Sequence, residues 1–105
     1  MITVQVTYTV NPDFVAQNKE NINRFLEDFK QLDTAAFWYH VYVLEDGVTF
    51  LHFSSYRDET IQSQVLDVPS FKAFQKERDE SGLNGSHAFK VLQFVGASSD
   101  RLQIS

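Results

Sequence analysis

Residues 2–10 alternate between apolar and polar side chains without a break, and this pattern constrains the fold more than any other feature. The apolar positions are Ile2, Val4, Val6, Tyr8 and Val10, and Thr3, Gln5, Thr7 and Thr9 lie between them. A period of two with mostly β-branched residues predicts a strand that packs one face against a core. Pro12 ends the pattern because proline has no N–H to donate to a sheet. The first predicted element is therefore a half-buried β-strand.

The following residues predict three more strands and two helical regions. Apolar residues recur at helical spacing from Phe14 to Leu32, which predicts an amphipathic helix. A second helical region contains Pro69, which we expect to divide it into two pieces. The remaining elements are strands at residues 36–44, 48–56 and 88–95, the second helical region at residues 58–80, a loop at residues 81–86 and a tail at residues 97–105.

The element order β-α-β-β-α-β predicts a single α+β domain with a ferredoxin-like fold. In that fold both helical regions cover one face of a four-stranded antiparallel sheet, and the first and third strands lie in its centre. The other face of the sheet stays open. What covers this open face is expected to decide the function.

Composition narrows the functional classes. The chain has 105 residues, of which 43% are hydrophobic and ten are Phe, which is rich for a small monomer and favours pairing with a second copy. A formal charge of −5 without basic clusters argues against nucleic-acid binding. There is no Cys, no apolar run long enough to cross a bilayer and no basic leader. We therefore expect a soluble cytoplasmic protein without membrane or metal binding.

The register of the hairpin between the second and third strands decides where the two strand histidines lie. A three-residue loop at residues 45–47, with Gly47 at positive φ, would place His40 opposite His52 on one face. A two-residue loop would instead place His52 opposite Val41. We favour the three-residue loop because it separates apolar side chains from polar and aromatic ones.

With the three-residue loop, the open face is wide and aromatic. It would carry Trp38, His40, Tyr42, Phe50, His52, Ser54 and Tyr56 beside Thr3, Gln5, Thr7 and Thr9, whereas Phe37, Tyr39, Val41, Val43, Leu51 and Phe53 would face the helices. Such a face is too apolar to meet bulk water alone. The simpler cover is the sheet of a second subunit. The alternative is a dimer that also encloses a cavity for an aromatic ligand.

Residues 48–74, VTFLHFSSYRDETIQSQVLDVPSFKAF, resemble the central signature of the antibiotic biosynthesis monooxygenase-like group of the dimeric α/β-barrel superfamily. That signature has a strand ending in acid-x-Trp, an Asp-Glu helix start and a small-Pro-His-Phe-x-x-Phe segment. Tyr56 stands at the Trp position, Asp58-Glu59 open the helix, and residues 69–74 fill the later segment.

The resemblance implies a homodimer whose two sheets form a barrel, with a pocket on each open face. Members of the group oxidise phenolic or quinol substrates with O₂ and without flavin or metal. An Asn that helps to activate the substrate in those enzymes corresponds to His52, and the strand-end Trp corresponds to Tyr56, so this chain departs from the pattern twice. Relatives that degrade haem use a helix His where this chain has Ser70, which argues against haem degradation.

The leading hypothesis is a cofactor-independent monooxygenase that oxidises a small aromatic substrate. Neutral imidazole suits the role of base because its ordinary pKa is about 6.5, so His52 would deprotonate the substrate. His40 would orient His52 or stabilise the anion, and Tyr56 would donate to the developing anion. The predicted catalytic residues are His52, His40 and Tyr56, and the predicted substrate-binding residues are Trp38, Tyr42, Phe50, Ser54, Thr7 and Arg57. For Arg57, helix capping or pairing with an acidic residue is the alternative. The alternative function is a non-catalytic dimeric ligand-binding or regulatory barrel.

Overall fold

The computed structural model describes residues 1–100; residues 101–105, the end of the predicted tail, lie outside the described part. The strands are β1 (Ile2–Thr9), β2 (Phe37–Val43), β3 (Thr49–Tyr56) and β4 (Ala88–Leu92), and the helices are α1 (Val15–Phe29), α2 (Glu59–Leu66) and α3 (Pro69–Glu80). A 3₁₀ turn, Pro12–Phe14, precedes α1. Every predicted strand and helix is present, and the strands are shorter than expected at one or both ends.

The four strands form one antiparallel sheet in the order β2-β3-β1-β4. The first and third strands lie in the centre, so the predicted ferredoxin-like fold is confirmed. Strands β2 and β4 are the two edges. The helices cover one face, called the helix face below, and the opposite face is called the open face.

The second helical region is divided where the sequence predicts. Helix α2 begins after Asp58, whose Oδ1 accepts a hydrogen bond from the Ile61 N–H at 2.9 Å. Helix α3 begins at Pro69, where a missing N–H costs nothing because the first helical turn leaves its N–H groups unpaired. The Asp58 cap therefore determines where α2 begins, and Pro69 determines where α3 begins.

The core lies between the helices and the sheet and is mostly aromatic. Phe25 of α1 is fully buried, and its ring lies 4.9 Å from that of Phe74 and 5.0 Å from that of Phe71, both on α3. Tyr8 of β1 stacks on Phe50 of β3 at 5.7 Å. The helix face is therefore filled with aromatic rings, which bury more apolar area per residue than other side chains do.

The predicted register of the β2–β3 hairpin is wrong. Val41 pairs with His52, and His40 pairs with Phe53, which is the arrangement expected from the two-residue loop. The connection is longer than either alternative, because the Leu44 N–H donates to the Thr49 carbonyl at 2.8 Å and residues 45–48 form the loop. Gly47 has φ 75°, as predicted.

Asp46 explains why the loop includes one more residue. Its Oδ1 accepts hydrogen bonds from the Val48 N–H at 2.9 Å and the Thr49 N–H at 2.8 Å, and its Oδ2 accepts one from the Thr49 hydroxyl at 2.6 Å. These hydrogen bonds hold the pKa of the Asp46 carboxyl below its ordinary value. The carboxylate thus draws Val48 out of the strand and into the loop.

This register moves all of β3 to the opposite face from the one predicted, whereas β2 lies as predicted. A one-residue shift does this because side chains alternate along a strand. The helix face carries Phe50, His52, Ser54 and Tyr56, and the open face carries Leu51 and Phe53. The expected hollow shared by two histidines does not exist.

Candidate functional site

His52 lies at the centre of a buried polar cluster under the helices. It is 3% exposed. Its Nε2 is 2.8 Å from the Tyr8 hydroxyl, and its Nδ1 is 2.7 Å from the Tyr39 hydroxyl. Asn18 of α1 donates from Nδ2 to the Tyr8 hydroxyl at 3.0 Å. Three strands and one helix therefore meet at these four side chains, which we call the His52 cluster.

Donor and acceptor matching favours one tautomer of His52. The Tyr8 hydroxyl already accepts from Asn18, so its own hydrogen is available to donate to Nε2 of His52. A neutral imidazole then carries its hydrogen on Nδ1 and donates it to the Tyr39 hydroxyl. The cluster forms one continuous chain of hydrogen bonds from Asn18 to Tyr39.

The cluster holds its ionisable groups uncharged. Burial, with smaller contributions from the Arg78 guanidinium and His87, lowers the pKa of His52 to about 3. Burial also raises the pKa of both Tyr8 and Tyr39. The Arg78 guanidinium lies 5.4 Å from the centre of the Tyr8 ring. At pH 7 the imidazole is neutral but weakly basic, which disfavours its role as a general base.

Aromatic rings occupy the space around His52. Its ring stacks on Phe74 at 5.3 Å and lies 6.3 Å from Phe25. His52 lines none of the three surface cavities described below. The cluster is therefore a packed part of the core.

A cavity of about 650 Å³ lies against the open face. Trp38, Phe53, Thr3 and Leu92 form its sheet side. Residues 93–97, 99 and 100 after β4 supply most of the other wall, and Met1 completes it. The volume falls within the range of about 300–1,000 Å³ that is typical of small-molecule sites. We call this cavity the open-face pocket.

The walls of the open-face pocket are mostly apolar, with polar groups at its margin. Trp38 and Phe53 meet edge to face, with ring centres 4.8 Å apart. The ring of His40 lies 5.1 Å from that of Trp38, and its Nδ1 is 3.2 Å from the Tyr42 hydroxyl. Among the described residues the Trp38 indole N–H is buried without a hydrogen-bond acceptor.

A groove follows the outer side of β2, between this edge strand and α1. It comprises two cavities of about 410 and 230 Å³. Leu26 of α1 lines both, and Tyr39 lines the larger. Because the Tyr39 hydroxyl contacts His52, this groove is the nearest open space to the His52 cluster.

The structure separates the predicted site residues into three groups. The first group lies on the open face as expected and comprises Trp38, His40, Tyr42 and Thr7. The second lies on the helix face and comprises His52, Phe50, Ser54 and Tyr56. Arg57, by itself, lies beyond the end of β3. Arg57 is about half exposed and pairs with Asp58 at 3.5 Å, which is the alternative noted for it. Of the nine, Trp38 alone lines the open-face pocket.

Sequence reasoning missed Tyr8, Tyr39 and Asn18 as partners of His52. Both tyrosines were correctly placed on the helix face, but as apolar core residues. The available signal was that a buried tyrosine hydroxyl needs a polar partner. Among residues 1–100, no three His, Asp or Glu side chains are grouped so that they could hold a metal ion.

Comparison with solved structures establishes the fold. A crystal structure named antibiotic biosynthesis monooxygenase has a TM-score of 0.77 and 11% identity, covering 91% of this chain and 100% of that one. The Rv0793 protein of Mycobacterium tuberculosis has a TM-score of 0.76 and 18% identity, covering 93% and 98%. A Deinococcus radiodurans structure, provisionally named an antibiotic biosynthesis monooxygenase, has a TM-score of 0.72 and 14% identity, covering 94% and 97%. The chain has their fold.

The resemblance seen in the sequence is thus confirmed at the level of the fold. No protein-family model matches the chain, and a search of curated protein sequences finds no match. No helix within residues 1–100 has the length and apolar character required to span a bilayer.

Proposed function

We propose that the protein is a homodimeric α/β barrel that binds a small aromatic molecule in the open-face pocket. The observation that carries this proposal is the apolar pocket of about 650 Å³ bounded by Trp38 and Phe53. The pocket contains neither His52 nor any other member of the His52 cluster. Ligand binding without catalysis therefore fits this geometry better than oxygenation does.

Exposed apolar side chains support the dimer. Tyr42 on the open face is 54% exposed, and Phe89 and Val91 on the edge strand β4 are 57% and 68% exposed. Phe89 and Val91 are neighbours on one face of β4, and exposed apolar neighbours of this kind often mark an interface. Pairing two open faces would cover Tyr42, and pairing edge strands would cover β4, giving the barrel implied by the resemblance.

Aromatic pocket walls support the choice of ligand. Planar rings stack favourably on Trp and Phe, and a pocket with few polar groups binds chiefly by apolar contact. Trp38 is the only tryptophan in the chain and lines both the open-face pocket and the larger groove cavity, so its fluorescence reports on binding at either place.

Titration of the purified protein with 1-naphthol tests the proposal. We expect a saturable change in Trp38 emission and a matching heat in calorimetry. Phe53→Ala removes a pocket wall and should weaken binding, whereas Phe14→Ala removes a phenyl ring on the helix side and should leave binding unchanged. Equal affinities for both variants, or no saturable signal, would reject the open-face pocket as the binding site.

Cofactor-independent oxygenation is the second candidate function. A solved structure with this fold carries the name antibiotic biosynthesis monooxygenase, and His52 occupies the position that the resemblance links to substrate activation. The substrate would lie in the groove beside Tyr39, and its proton would pass through that hydroxyl to Nδ1 of His52, leaving an anion that donates electrons to O₂. This step uses the other tautomer of His52, in which the ring carries its hydrogen on Nε2, facing the Tyr8 hydroxyl. His40 also lines this groove and would contact the substrate there, whereas Tyr56 does not line it.

Oxygen uptake distinguishes the two functions. With 1,4-dihydroxynaphthalene, an oxygenase should raise O₂ consumption above the spontaneous rate, and His52→Gln should return it to that rate. Uptake that the native protein does not accelerate would reject oxygenation while leaving ligand binding intact. Cytoplasmic location and the absence of cofactors, metals and nucleic-acid partners remain predictions from the sequence.

A further inference from the structure

Asn84 and Gly85 form the tip of a tight turn before β4. The Ser86 N–H donates to the Leu83 carbonyl at 2.9 Å and closes the turn. Asn84 has φ 51° and Gly85 has φ 73°, so two successive residues are left-handed, as in a type I′ turn. Both residues are exposed.

The turn leaves the Asn84 side chain and the Gly85 backbone accessible to water. Gly85 has no side chain, and apart from its two chain neighbours no atom lies within 4 Å of the place where a Cβ would be. Within residues 1–100 the Asn84 amide forms no hydrogen bond that would hold it away. The side-chain carbonyl of Asn84 therefore belongs to an exposed residue that is followed by glycine.

We propose that Asn84 is a site of spontaneous deamidation. The Gly85 nitrogen attacks Cγ of Asn84, a C–N bond forms, and the side-chain nitrogen leaves as ammonia. Water then opens the resulting succinimide at either carbonyl, giving aspartate or isoaspartate. The reaction needs only water and adds one negative charge to the chain.

The other asparagines lack this combination. Pro12 follows Asn11 and has no N–H for the attack. Asn18, Asn21 and Asn23 lie inside α1, where helical hydrogen bonds hold the backbone in place. Asn84 is therefore the expected site among all five.

Asp46-Gly47 offers a natural contrast. It too has a following glycine, and an aspartate can form the same succinimide when its carboxyl is protonated. Three hydrogen bonds from Val48 and Thr49 hold the Asp46 carboxylate, and they lower its pKa. We expect no isomerisation at Asp46.

The modification has a structural consequence because Ser86 anchors the turn. The Ser86 hydroxyl accepts from the Thr9 N–H at 3.0 Å and donates to the Thr9 carbonyl at 3.2 Å. An isoaspartate at position 84 adds one carbon to the backbone of the turn and shifts Ser86 from this position. The attachment of the start of β4 to β1 should weaken.

The experiment is ageing of the full chain at mildly alkaline pH, followed by peptide mapping. We expect the peptide containing Asn84 to gain about 1 Da and to split into aspartate and isoaspartate forms. Peptides containing Asn23 or Asp46 should keep their original mass and retention time. The urea midpoint of the aged protein should fall with the isoaspartate fraction.

Asn84→Gly is the matched variant, because glycine accepts the same left-handed conformation and has no amide to lose. Its urea midpoint should not change on ageing. Ageing of native protein in urea supplies the reference for the unfolded chain. An amide at Asn84 that persists in the folded protein while the unfolded chain loses it would overturn the proposal, as would earlier loss at another asparagine.

Discussion

Acidification from pH 7 to pH 5 should destabilise the protein through His52. The native state holds this imidazole neutral, with both nitrogens hydrogen-bonded to tyrosine hydroxyls. Its pKa is lowered from 6.5 to about 3, chiefly by burial and further by Arg78 and His87. Below pH 6.5 the unfolded chain therefore binds a proton that the native state does not bind. Stability must fall as pH falls from 6.5 towards 3.

The size of the effect follows from the two pKa values. Each unit between them corresponds to about 1.4 kcal/mol. At pH 5, which lies roughly 1.5 units below the unfolded value, the loss relative to pH 7 is about 2 kcal/mol. Carboxylates with lowered pKa, such as Asp46 and Asp58, titrate below this window and contribute little to the difference.

Urea unfolding at the two pH values and a fixed protein concentration measures this loss. His52→Gln cannot titrate, yet it offers a donor and an acceptor to the two tyrosines. Its free energy of unfolding should change by much less than 2 kcal/mol between pH 7 and pH 5. His40→Gln, on the open face, should retain the native pH dependence. If His52→Gln loses as much stability as the native protein, the argument from burial is refuted.

Three further substitutions test the packing. Phe25→Ala should lower the free energy of unfolding by about 3–5 kcal/mol, because the ring is fully buried among other aromatic rings; a loss below about 1 kcal/mol would contradict this. Tyr39→Phe should cost about 1–3 kcal/mol, because the Nδ1–H of His52 loses its acceptor, while Tyr42→Phe on the open face should change little. Asp46→Ala should lower the urea midpoint by releasing the loop amides, and an unchanged midpoint would show that the loop forms without its carboxylate.

Local chemistry explains why the elements were predictable. The alternation in residues 2–10 and the helical spacing from Phe14 to Leu32 arise from neighbours along the chain, and Pro69 acts on its own backbone. These signals do not depend on what lies across the core. The fold class and the strand order followed from them because few topologies accommodate this order of elements.

The candidate site could not be predicted as well, because it depends on contacts between distant residues. Trp38, His40 and Tyr42 were placed on the correct face, since β2 alternates in the same way under either register. His52 was misplaced because one additional loop residue reverses the facing of a whole strand. The carboxylate of Asp46 adds that residue to the loop through its hydrogen bonds. The alternation of apolar and polar residues carries no information about those hydrogen bonds.

The sequence by itself determined the strands, the helices, their order and the need to cover an aromatic sheet face. Tertiary structure alone decided that His52 joins Tyr8 and Tyr39 beneath the helices. It also decided that residues 93–97, 99 and 100 form a pocket wall opposite Trp38. The physical reason is that periodicity reports which side chains share a face of one element, whereas pairing between elements is fixed by hydrogen bonds and packing across the fold.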